Sequence, residues 1–87
     1  LDKDWEQFKI HFENVHNEFF KKLTSKFPDL TVQEIRLCAY LRINLTSKEI
    51  AQILYILPTA VNKRRNRLRK KLNIDGEQDL IHFLINI

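Results

Sequence analysis

Apolar residues recur at every third or fourth position through the first part of the chain, at Trp5, Phe8, Phe12, Val15, Phe19 and Leu23. With about 3.6 residues per turn, that spacing lines one face of a helix. No proline or glycine interrupts residues 3–26, so a single long amphipathic helix is predicted there. Asp2 or Asp4 can cap its start, and Lys21, Lys22 and Lys26 suit the negative end of its dipole. Phe27-Pro28 ends it, because the residue before proline is steered away from helical angles. Phe20 lies off the stripe and is expected to be exposed unless a partner covers it.

Two shorter helices follow. Thr31 stands three residues before Glu34, the spacing of a capping box, and Ile35, Leu37, Cys38 and Leu41 then recur with helical period to about residue 42. The stretch "INLT" breaks the pattern. Thr46 or Ser47 caps the next helix, roughly 47–54, with Ile50, Ala51 and Leu54 inward and Lys48 and Gln52 outward. Pro58 suits the first turn of a fourth helix, 58–72, where its missing N–H is not needed. Asp75 and Gly76 are turn residues, and "EQDLIHFLINI" predicts a fifth helix with Leu80, Phe83, Leu84 and Ile87 on one side.

Composition agrees with an all-α chain: 87 residues, 44% hydrophobic and 30% charged, with two prolines and one glycine. That length supports one core and a binding surface but leaves no room for a substrate cleft with its own scaffold. An enzyme is not expected, since Glu34 and Glu49 are cap and helix-face residues and no nucleophile is paired with a base. A lone Cys38 excludes an internal disulfide, and His11, His16 and His82 supply no metal-ligand pattern, so no cofactor or metal is expected. Cys38 suits a small buried apolar position. No apolar run approaches the roughly 18 residues needed to span a bilayer, and no signal peptide opens the chain, so a cytoplasmic location without membrane contact is expected. The absence of methionine leads us to expect a piece of a longer protein.

Charge is distributed unevenly. The formal net charge is +4, yet the nine residues 63–71, "KRRNRLRKK", supply +7, so the other 78 carry −3. Local basicity of this kind favours a defined contact with a polyanion, against the alternative of a solvated helix face. On a wheel of about 100° per residue, Leu68 and Leu72 fall within about 20° of Val61 and form the inward stripe. Thr59, Lys63, Asn66 and Lys70 lie near the opposite pole, Asn62 and Arg67 flank them, and Arg64, Arg65 and Arg69 sit toward the core's edges. Cations and amides therefore alternate on the outward ridge. Asn can match an adenine edge in the major groove while cations hold phosphates. A short capped helix, a tight turn and a second helix form a helix-turn-helix.

Residues 30–74 resemble the LuxR/GerE class of bacterial helix-turn-helix DNA-binding domains. The resemblance rests on Leu30-Thr31 with Glu34, "SKEIA" at 47–51, Leu54, Val61, and "KKL" ending at Leu72. It implies a three-helix helix-turn-helix core, here with a long N-terminal helix and a C-terminal dimerisation helix. The corresponding division is a linker or dimerisation helix at 1–28 and the DNA-binding domain at 29–87. Such domains serve sensor-linked or two-component transcription regulators, usually homodimers on double-stranded DNA, with RNA polymerase a further possible partner. By the same resemblance Asn62, Lys63 and Asn66 would face bases, and Lys48, Thr59 and Lys70 would touch phosphates, with Arg67 beside them. Leu80, Phe83, Leu84 and Ile87 would make the dimer contact.

Some positions depart from the family pattern. Asn44 stands near the usual turn glycine, and Asn tolerates the left-handed conformation. Leu57 replaces a capping serine, a loss of about 1 kcal/mol, and Arg64 replaces a usual histidine. The run "RRNRLRKKL" also resembles region four of bacterial sigma factors, which binds a promoter element. A helical protein-interaction module with an acidic partner is the alternative from another class.

Overall fold

The centre of the molecule is a helix buried on nearly every side. In the computed structural model, which describes residues 3–75 and 79–87, α3 (Val32–Arg42) carries six consecutive buried residues from Arg36 to Leu41. Around it stand α1 (Lys3–Val15), α2 (Phe19–Lys26), α4 (Ser47–Leu54), α5 (Pro58–Lys71) and α6 (Leu80–Ile85). The described residues contain helices and no strands. The turn residue Gly76 and the start of the expected fifth helix, Glu77 and Gln78, lie outside the described residues, as does the candidate cap Asp2. Asp4 lies within the first turn of α1.

The expected unbroken helix over 3–26 is two helices. Glu18 adopts φ 73°, ψ −2°, the left-handed conformation that reverses the chain between α1 and α2. The rings of Trp5 and Phe20 stand 6.1 Å apart, centroid to centroid, whereas fifteen residues of straight helix would separate them by about 22 Å. Periodicity alone missed this because Phe19 and Phe20 are adjacent. A straight helix buries one of them, while a folded-back pair lets Phe12 meet both, at 5.4 and 5.1 Å. Phe20 is thus covered by the chain's own aromatics, and no partner is needed. Val15, expected on the apolar stripe, is 77% exposed because the hairpin turns just beyond it.

This hairpin shares one core with the rest of the chain. Phe8 and Tyr40 rings meet edge to face at 5.0 Å, and Trp5, Phe12, Phe19 and Leu23 belong to the same buried cluster as Leu41, Val61 and Leu84. Arg42 adds a polar tie between distant segments. Its Nε donates to His16 Nδ1 at 3.1 Å, its Nη1 donates to the carbonyl oxygen of Leu84, and its guanidinium lies over Phe19 at 4.7 Å. Burial and then the Arg42 charge lower the pKa of His16, as the accepting role of Nδ1 requires.

Both short helices begin as their sequences require. Thr31 and Thr46 each accept from the backbone N–H three residues on, and Glu34 and Glu49 each return a bond to the cap residue's N–H. Asn44 holds φ 65° in the turn before α4. Tyr55 at φ 57° makes the turn before α5. Pro58 opens α5 behind Leu57, which offers no side-chain cap. Cys38 is fully buried, and burial pushes its thiol up to about 12, with a smaller contribution from Glu34.

Candidate nucleic-acid interface

One face of α5 is anchored and the other is free. Val61 and Leu68 are fully buried and Leu72, the C-cap, nearly so. This fixes the helix rotation that the wheel requires. Thr59, Asn62, Lys63, Asn66, Arg67 and Lys70 are all exposed, while Arg64, Arg65 and Arg69 are half-buried along the edges. Lys48, on the first turn of α4, is exposed too. The structure therefore brings six of the seven expected DNA-facing residues onto the outward side of α5. Lys48 stands on the helix packed against it.

The first turn of α4 is tied to α5 by side chains. Ser47 Oγ donates to Asn62 Oδ1 at 2.8 Å and accepts from Arg65 Nη1 at 3.1 Å. Burial lowers the pKa of Arg65, helped by the neighbouring charge of Arg69 and opposed by Asp79. The sequence marks Ser47 only as one of two candidate caps. Thr46 takes that role, and the three-residue spacing from Thr46 to Glu49, the same as Thr31 to Glu34, is the signal that distinguishes them.

Lys71, like Arg65, is engaged within the fold. Its Nζ donates to the Asp29 carbonyl at 3.0 Å and to Glu34 Oε1 at 2.7 Å, holding the last turn of α5 against the start of α3. Among the seven cations, Lys71 and Arg65 are thus both bonded within the fold. Arg64 and Arg67 line a cleft of about 290 Å³ with Thr31, Gln33, Glu34 and Leu37, on the α3 side of the ridge.

The residues expected at the dimer contact divide. Leu80 and Leu84 are fully buried in this chain's own core, packed on α3, so neither offers its side chain to a second copy. Their helical spacing made them apolar on one side, and in the fold that side faces inward. Phe83 and Ile87 are half-buried against the core.

The architecture of α3, α4 and α5, with a capped short helix leading through a tight turn into a basic helix, is that of a helix-turn-helix. The family model for bacterial regulatory proteins of the luxR family, GerE, matches residues 28–84. The chain belongs to this luxR family. It is a helix-turn-helix DNA-binding regulator domain, and the match takes in α3 through most of α6 while α1 and α2 precede it. Comparison with curated proteins and with solved structures gave no match. Within the luxR-family region, the Ser47–Asn62 bond and the Lys71–Glu34 bond both join elements of the matched segment. Among the described residues no helix is long and apolar enough to cross a membrane.

Proposed function

We propose that this domain binds double-stranded DNA sequence-specifically by laying α5 in the major groove, as the output domain of a bacterial transcription regulator. The observation that carries the reading is the rotation of α5. Burial of Val61, Leu68 and Leu72 leaves an outward ridge in which the amides of Asn62 and Asn66 alternate with cations. A ridge one helix wide fits the roughly 12 Å major groove. In this placement Asn62, Lys63 and Asn66 face base edges, and Lys48, Thr59, Arg67 and Lys70 hold the flanking phosphates. The domain acts as a homodimer on a two-fold site, with Phe83 and Ile87 as the remaining candidates for the contact between copies.

Titration of a labelled duplex across a salt series, combined with selection from a random duplex pool, tests the proposal. Binding by the ridge gives a log–log slope of about −0.9 per phosphate contacted and an enriched sequence. An interaction module for an acidic protein gives neither, and that result would remove the proposal.

A further inference from the structure

Asn62 and Asn66 stand one helical turn apart on the same ridge but are held differently. Asn62 Oδ1 accepts from Ser47 Oγ at 2.8 Å, and Ser47 Oγ accepts from Arg65 Nη1 at 3.1 Å. A guanidinium has only donors. Arg65 therefore occupies a lone pair of the hydroxyl and leaves its single proton for Asn62. That proton needs an acceptor, so Oδ1 turns toward α4 and the Nδ2 amino group is left for an outside partner. Arg65 is half-buried, which fixes the bridge from within, whereas Asn62 is exposed. The side chain of Asn66 has no hydrogen-bond partner among the described residues and keeps both its donor and its acceptor.

We infer that Ser47, a residue that touches no base, turns the amino group of Asn62 outward and so favours guanine over adenine at the position Asn62 faces. The inference rests on the groove placement proposed above. A free asparagine pairs with adenine by accepting from N6 and donating to N7. With one lone pair of Oδ1 held by Ser47 and the oxygen turned toward α4, Asn62 presents its amino group to the base and gives up the bidentate adenine pairing. Guanine presents two acceptors, N7 and O6, to such a donor, adenine presents N7 alone with its N6 amino group alongside, and cytosine presents only an amino group. The unrestrained Asn66 retains the adenine match, so the two amides read different bases. Ser47 is thus a positioning residue that acts through Asn62.

Selection from a random duplex pool with the wild-type chain, Asn62→Ala, Ser47→Ala and Ser47→Thr tests this. Asn62→Ala marks the position that Asn62 faces by losing preference there. The wild type is expected to favour guanine over adenine at that position by roughly fivefold or more. Ser47→Ala brings adenine to at least parity there and leaves the other positions as they were, and Ser47→Thr, which keeps the hydroxyl, restores the wild-type profile. Adenine favoured by the wild type at that position, no position responding to Asn62→Ala, or a Ser47→Ala profile equal to wild type would each overturn the inference while the groove placement stands. Absence of any enriched sequence with the wild type would overturn both together.

Discussion

Lys71 Nζ donates to Glu34 Oε1 at 2.7 Å, joining the last turn of α5 to the first turn of α3. The same carboxylate oxygen accepts from the Thr31 N–H at 2.8 Å, so a single group caps one helix and fixes the end of another. Burial pushes the Glu34 pKa up, but the bonds from Lys71 and Thr31 outweigh it and the net shift is downward. A depressed folded pKa stabilises above the unfolded value of about 4.3 and is lost as pH falls through the folded value. Glu34→Gln is therefore expected to lower stability by about 1 kcal/mol near neutral pH, at the low end for a charged hydrogen bond because Lys71 is more than a third exposed. Urea midpoints measured from pH 7 down to 3 should also fall less steeply for the variant than for wild type.

Adjacent lysines should then behave differently. Lys70 is exposed and its side chain makes no hydrogen bond or ion pair among the described residues, whereas the Lys71 ammonium is engaged within the fold. Lys70→Ala should weaken binding to every duplex and reduce the salt slope by about 0.9 in magnitude. Lys71→Ala should leave that slope close to wild type and lower the urea midpoint instead. Equal slope changes from both would mean that Lys71 leaves Glu34 on binding.

Asn66→Ala should act on sequence preference and not on grip. A bidentate amide contact discriminates by about 1–3 kcal/mol, so the loss should appear on the preferred site and be small on unrelated duplex. Competition assays with both duplexes measure the difference. A uniform loss across sequences would remove Asn66 from the base-reading set.

Much of this arrangement was legible in the sequence because it rests on local chemistry. Thr31 with Glu34, Pro58 at a helix start, and the period of Val61, Leu68 and Leu72 each specify structure within one or two turns, and each is realised. Less legible was everything that depends on a distant segment. The break at Glu18 is fixed by Trp5 and Phe12 closing over Phe20. Leu80 and Leu84 look the same in sequence whether their apolar side meets α3 or a second copy. Ser47 could not be assigned to Asn62, fifteen residues away, without knowing how α4 and α5 cross.

Cys38 offers a probe of global opening. Its side chain has no exposed surface, and its thiol is pushed up to about 12 by burial, so both access and the reactive thiolate are withheld. A thiol reagent at pH 8 should label the native domain only as fast as it unfolds. Labelling in urea should rise with the same midpoint as the loss of helical signal. Rapid labelling without denaturant would show that α3 opens locally.

The turn between α1 and α2 can be tested by the sign of a single effect. Glu18 holds φ 73°, where a Cβ is disfavoured by about 1–2 kcal/mol and glycine is not. Glu18→Gly removes that strain but adds freedom to the unfolded chain, so the net gain should be smaller, about 0.5 to 1 kcal/mol. The Glu18–Lys21 ion pair that the substitution deletes spans 3.9 Å between side chains 50% and 79% exposed, and contributes little. In a continuous helix over 3–26 the same glycine would sit mid-helix and cost up to about 1 kcal/mol. A raised urea midpoint thus supports the folded-back hairpin, and a lowered one supports a straight helix whose aromatic stripe must be covered by something other than this chain.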